Sequence, residues 1–251
     1  MVDAINKILK EKNIFSHLNA GITVATVGSL HDGYALAQAI LYHLIDAKTV
    51  LYLSGGSTPK VLYERFAKEE RLLPGAVGVV DERFGTKFHE KSNEKLLQET
   101  GLLRYFQMRS IPFYPILQGK NREETAASYD EKFRTLNATY QKSVGILGIG
   151  TDGHIASIAP KRPDFMSPMF AANHALVAEC NDPNSLYGER VGMTFVGLSM
   201  LDVLVVLVFG DAKQKPLDLL FADGPEEELP ARFFKRPDVA KKTLFITDQR
   251  I

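Results

Sequence analysis

Tryptophan is absent from the 251 residues, and cysteine occurs once, at Cys180. One thiol cannot close an internal disulfide, so the fold must hold without cross-links, and a reducing compartment, the cytoplasm, is the expected location. Cys180 reads as a small buried hydrophobe. Net charge is missing as well, with 30 Lys plus Arg against 30 Asp plus Glu. That balance argues against a nucleic-acid partner or an anionic membrane surface. No apolar run approaches the ~20 residues of a membrane span. Met1 to Asn13 is mixed in charge and has no apolar signal core. No His/Cys pair stands at ligand spacing and there is no His-Glu-x-x-His, so no metal is expected. Fixed-period repeats and low-complexity tracts are also lacking. The loop-like stretches Pro160–Pro168, Asn181–Gly188 and Asp223–Pro230 are short, and residues 1–251 therefore read as one domain.

What the chain does have is alternation. Short apolar, β-branched runs predict strands at Ile22–Val27, Thr49–Leu53, Val77–Val80, Val144–Ile149, Ala175–Glu179, Val191–Phe195, Val203–Phe209 and Thr243–Ile246. Helical patterns fall between them, at His31–Asp46, Pro59–Lys68, Ser92–Thr100, Glu123–Tyr140 and Ala212–Phe221. In the first of these, Ala37, Ile40, Leu41, Leu44 and Ile45 share one side. Such β-α order predicts an α/β protein with an open, mostly parallel sheet and helices on both faces. Ligands of such sheets bind in the loops at the carboxyl ends of the strands.

Four of those loops carry chemistry. After Leu53 comes Ser54-Gly55-Gly56-Ser57-Thr58-Pro59, with Thr58 as a predicted N-cap and Pro59 as the first helical residue. Two glycines let backbone N–H groups converge at a helix N-terminus, which suits a phosphate. The order is neither a P-loop nor a dinucleotide fingerprint. After Val80 comes the charged loop Asp81-Glu82-Arg83, followed by a helix that Ser92 would cap. After Ile149 come Gly150-Thr151-Asp152-Gly153-His154, where a carboxylate two residues before a histidine can set its tautomer and basicity. After Phe209 comes Gly210-Asp211-Ala212-Lys213, which places a cation in the first turn of a helix, a position favourable only beside an anion. His17 and His31 are read near helix starts, His43 on a helix, His89 in a polar loop and His174 before a strand, none with a role. Each loop alone is also compatible with a plain capped or solvated turn.

Together, Ser54-Gly55-Gly56-Ser57-Thr58-Pro59, Asp81-Glu82-Arg83, Ser92-Asn93, Gly148-x-Gly-x-Asp-Gly-His154-x-Ala-Ser157, Arg190 and Gly210-x-x-Lys213 resemble the 6-phosphogluconolactonase family and its relative, glucosamine-6-phosphate deaminase. The order and spacing run from about residue 20 to the C-terminus. The resemblance implies a Rossmann-like three-layer α/β/α fold and a phosphorylated-sugar substrate. It implies that Ser54, Gly55, Gly56, Ser57, Thr58, Arg190 and Lys213 hold the phosphate, with Asp81 also in the substrate site. It further implies that His154 is a general base supported by Asp152. Arg83, in the charged loop after Val80, is a candidate for anchoring substrate oxygens or stabilising negative charge.

The two relatives differ in chemistry. The deaminases carry Asp-Glu-Tyr and Asp-Gly-His-Ile-Ala-Phe-Asn-Glu. Here Arg83 replaces the tyrosine and Ser157-Ile158-Ala159 replaces Phe-Asn-Glu, so position 159 offers no carboxylate. Ile155, Ile158-Ala159-Pro160 and the missing tryptophan depart from common lactonase usage. The expected reaction is hydrolysis of 6-phospho-D-glucono-1,5-lactone by a water that His154 deprotonates, without a cofactor or metal. A small-molecule sugar phosphate is the expected partner, and a monomer or weak homodimer the expected state. A deaminase/isomerase-like enzyme and a non-catalytic sugar-phosphate-binding domain are the alternatives.

Overall fold

The computed structural model describes residues 2–161, 175–181 and 188–251. Most of the Pro160–Pro168 loop, the interior of Asn181–Gly188 and His174 lie outside the described residues. Asp223–Pro230 is irregular, as expected.

Ten strands are described: β1 (Phe15–Asn19), β2 (Ile22–Thr26), β3 (Thr49–Leu53), β4 (Ala76–Val79), β5 (Asp81–Arg83), β6 (Lys142–Gly148), β7 (Val177–Asn181), β8 (Glu189–Met193), β9 (Val203–Val208) and β10 (Thr243–Thr247). Seven of them form one sheet in the order β1-β2-β10-β9-β6-β3-β4. All pairs in it are parallel except β1 with β2. Every residue of β3 and of β9 is buried. This is why Val203–Val208 is an unbroken apolar run: a strand covered on both faces has no polar side to alternate with.

The helices are α1 (Val2–Glu11), α2 (Leu30–Leu44), α3 (Ser57–Glu69), α4 (Asn93–Glu99), α5 (Leu102–Met108), α6 (Arg122–Thr139), α7 (Phe195–Met200), α8 (Gln214–Phe221) and α9 (Pro237–Ala240). In α2 the side chain of Ser29 caps the start by accepting from the Asp32 amide, and the stripe Ala37, Ile40, Leu41 and Leu44 is buried as its spacing predicts. Six elements went unpredicted: α1, β1, β5, α5, α7 and α9. His17 is therefore not near a helix start; it lies within β1, on the edge of the sheet.

Two local departures bear on function. Asp81–Arg83 is a strand rather than a loop, and it pairs antiparallel with β8, which pairs antiparallel with β7. The helix after β3 starts at Ser57 with Gly56 as its N-cap, so Thr58 is not the cap and Pro59 is the third helical residue. A proline is still tolerated there, since the first turn needs no intrahelical donors.

The order of the large sheet fixes where a ligand can bind. From β3 the chain moves outward to β4, whereas from β6 it moves the opposite way, to β9 and β10. The crevice between the carboxyl ends of β3 and β6 is the switch point, the usual binding place in open α/β sheets.

Candidate active site

A cavity of about 270 Å³ opens at that switch point. One wall is the turn after β3, Ser54 to Pro59. A second is the loop after β6, with Gly148, Ile149, Gly150, Thr151, His154 and Ala156. The small antiparallel sheet contributes Asp81, Arg83 and Arg190, the start of α4 contributes Asn93, and the turn before α8 contributes Lys213. Of the residues named from the sequence, ten line this space: Ser54, Gly55, Gly56, Ser57, Thr58, Asp81, Arg83, His154, Arg190 and Lys213. Asp152 stands behind His154 and lines a neighbouring depression with Lys161 and Lys215.

The turn after β3 is anchored to its neighbour strand, the Ser54 amide donating to the Ile146 carbonyl at 3.2 Å. Gly56 has φ 103° and ψ 167°, a conformation that essentially only glycine adopts without strain. No side chain caps α3. Its first-turn amides and the positive end of its dipole therefore face the crevice as an anion cradle.

Beyond β6, the loop folds back on itself. The Gly150 amide donates to the His154 carbonyl at 2.9 Å and the Gly153 amide to the Gly150 carbonyl at 3.0 Å. Ile155 and Ile158 pair across the next turn and are fully buried, which pins the histidine from its C-terminal side. A side chain at Gly150 would collide with His154 and Asp152, so the pair needs glycine at that position. His154 Nδ1 stands 2.6 Å from Asp152 Oδ1, and the same oxygen accepts from the His154 amide at 3.1 Å. Burial pushes the Asp152 carboxyl up, but the hydrogen bond and charge of His154 outweigh it and hold it at about 2. A carboxylate on Nδ1 selects the Nδ1–H tautomer and leaves Nε2 as the basic nitrogen. The His154 side chain is 40% exposed, so water can reach it.

Lys213 sits in a short 3-10 turn, Asp211–Lys213, just ahead of α8, and its Nζ donates to the Ile149 carbonyl at 2.6 Å. Burial pushes its ammonium pKa down, and the charge of Asp152 partly offsets this. Arg190 faces Arg83 across the β5–β8 pair, and its Nη1 lies 3.9 Å from Asp81 Oδ2. Arg83 Nη1 donates to the Lys91 carbonyl at 2.8 Å. The result is a cavity rich in cationic and N–H donors with one buried carboxylate, Asp81.

Glu82, the middle of the charged triplet, faces away from the cavity because side chains alternate along a strand. It is fully buried and accepts from the Ser92 hydroxyl at 2.9 Å and from the amides of Asn93 and Glu94 at 2.8 Å each. These bonds fix the start of α4 and so place Asn93, whose Nδ2 donates to the Asp81 carbonyl at 2.8 Å. Glu94 is also fully buried, its Oε1 accepting from the amides of Ile116 and Leu117. Burial, and then the charge of Glu82, push Glu94 up to about 7. Asn93 is a cavity residue that sequence reasoning left without a role. The Ser92-Asn93 pair ahead of a helix was its only signal.

The sequence matches the family described as glucosamine-6-phosphate isomerases/6-phosphogluconolactonase over residues 34–245. A 6-phosphogluconolactonase of Rhizobium meliloti is 30% identical over 190 residues, covering 74% of this chain and 79% of that one. One of Caulobacter vibrioides is 28% identical over 230 residues, 88% of this chain and 95% of its own. In three dimensions the chain is similar to a 6-phosphogluconolactonase from Plasmodium vivax, with TM-score 0.75, 19% identity, and 99% and 96% of the two chains covered. A second similar structure is the 6-phosphogluconolactonase of Thermotoga maritima, with TM-score 0.68, 24% identity, and 90% and 98% covered. With the match spanning most of its length and the expected loops meeting at one crevice, the chain belongs to the glucosamine-6-phosphate isomerase/6-phosphogluconolactonase family.

Proposed function

We propose that this protein hydrolyses 6-phospho-D-glucono-1,5-lactone to 6-phosphogluconate, the lactonase step of the pentose phosphate pathway. The observation that carries the reading is the Asp152–His154 pair, whose histidine lines the same cavity as an uncapped helix N-terminus. The named lactonases among the relatives support it.

In the reaction, His154 Nε2 takes a proton from water as the water oxygen attacks C1 of the lactone. The carbonyl becomes an oxyanion, which Arg83, one of the cations that line the cavity, stabilises. Collapse breaks the bond from C1 to the ring oxygen, which takes the proton back from the imidazolium. Asp152 holds the ring in one tautomer and favours the cation formed midway. Ser54 to Thr58, Arg190 and Lys213 grip the phosphate, and Asp81 accepts from sugar hydroxyls. Binding energy from the remote phosphate thereby positions the reacting carbon. The scheme uses no cofactor. The same reading makes residues 1–251 one catalytic domain, acting on a small sugar phosphate in the cytoplasm as a monomer or weak homodimer.

The test follows acid release from freshly made 6-phosphogluconolactone against its spontaneous background. Acceleration proportional to enzyme supports the reading. Background-level release, or ammonia from glucosamine 6-phosphate, refutes it. Ala159, with no carboxylate to support the histidine, favours the lactonase arm.

A further inference from the structure

The Ser54–Gly55 peptide is held between two buried side chains. Below it, the hydroxyl of Tyr63 donates to the Ser54 carbonyl at 2.8 Å, and Tyr63 is fully buried. Beside it, Asn93 Oδ1 occupies the space that a side chain on Gly55 would need. Asn93 Oδ1 has no hydrogen-bond partner among the described residues. No described peptide bond is cis. In a planar trans peptide the carbonyl and the next N–H point opposite ways. A Ser54 carbonyl turned down to Tyr63 therefore turns the Gly55 N–H up, toward the cavity that Gly55 lines. Burial pushes the Tyr63 phenol far above its ordinary range, so the hydroxyl stays a neutral donor.

A second tyrosine supplies an internal contrast. Tyr34 donates to the Thr58 carbonyl at 3.0 Å. That peptide unit continues into Pro59, which has no N–H to aim. Two tyrosine hydroxyls thus grip the same turn, but only one of them can orient a donor.

We propose that Tyr63 is a positioning residue whose hydroxyl locks the Ser54–Gly55 peptide so that the Gly55 N–H is presented to a phosphate. This rests on the reading that the turn after β3 takes the phosphate of the substrate. Removing the hydroxyl frees the peptide to rotate, and each turn away from the cavity costs one donor.

The experiment compares full-length Tyr63→Phe and Tyr34→Phe with the wild type. For Tyr63→Phe, KM for the phosphorylated lactone and Kd for 6-phosphogluconate should rise about three- to tenfold, the worth of one hydrogen bond. Its kcat, and its kcat/KM on unphosphorylated gluconolactone, should stay within about twofold. Tyr34→Phe should leave all of these unchanged. Equal losses on both lactones, or no loss on either, would overturn the proposal. Should Tyr63→Phe not fold, amide spectra of the wild type titrated with inorganic phosphate decide the matter. The Gly55 N–H must shift with those of Ser57 and Thr58, and a Gly55 signal that stays put while theirs move sinks the idea. This titration needs no turnover, so a failed lactone assay and a failed Tyr63 proposal remain distinguishable.

Discussion

His154 and Asp152 are two positions apart, and the hydrogen bond between them needs only a tight turn that Gly150 and Gly153 permit. His154→Ala should lose roughly 10²–10⁴-fold in kcat, the usual worth of a general base, with thermal unfolding unchanged. Asp152→Asn should lower kcat with the melting temperature unchanged, because the carboxylate that holds the ring in one tautomer is gone. A kcat equal to that of the wild type would remove Asp152 from the mechanism. This dyad was legible in the sequence because its geometry is local. Glu82 and Asn93 were not. The triplet Asp81-Glu82-Arg83 reads as a single charged patch, and only its strand conformation sends the middle residue to the opposite face, where it caps α4. Asn93 matters through contacts with residues 55 and 81, a meeting no local spacing announces.

At the level of elements, the decisive piece is the turn from β3 into α3. Thr58-Pro59 is a good local cap signal, yet the helix begins at Ser57 because Gly56 takes up the φ of 103° that reverses the chain. The start is thereby brought two residues closer to the crevice. Gly56→Ala would put an L side chain into that region at a strain of roughly 1–3 kcal/mol. It should lower the melting temperature and weaken 6-phosphogluconate binding together. Lys213, fixed to the Ile149 carbonyl by the turn before α8, reports on the same end of the site. Lys213→Ala should raise KM far more for the phosphorylated lactone than for gluconolactone, and parallel kinetics on the two substrates would check it. The small sheet escaped sequence reasoning because β5 is three residues long and charged, with no periodicity to detect.

For the whole molecule, the β-α alternation made the parallel sheet legible, whereas the strand order was not. Order depends on which strands meet after long crossovers, and the antiparallel edge strand β1 pairs through a short turn at Ala20–Gly21 that sequence reasoning passed over. Helix α1 was missed because Met1–Asn13 reads as mixed charge, although Ile5 and Leu9 sit four apart and are both buried. Global stability should carry the mark of Glu94. Its carboxyl, ordinarily near 4.5, is pushed up to about 7 in the fold, so the folded state holds a proton the unfolded chain has released. That contribution is complete below 4.5 and fades as pH rises through 7. Glu94→Gln, which keeps an acceptor for the Ile116 and Leu117 amides, should flatten the decline in denaturation midpoints measured between pH 4.5 and 8.

On the proposed reading the phosphate cradle is the turn after β3; the imidazole follows β6, and these two strands are neighbours, paired in register from Thr49–Lys142 to Leu53–Ile146. A ladder of backbone hydrogen bonds thus sets the span between grip and base, and it does not stretch to suit a guest. The protein behaves as a ruler for its substrate. A phosphorylated lactone one carbon shorter would be captured by its tail yet leave its carbonyl out of range, occupying the enzyme without being opened.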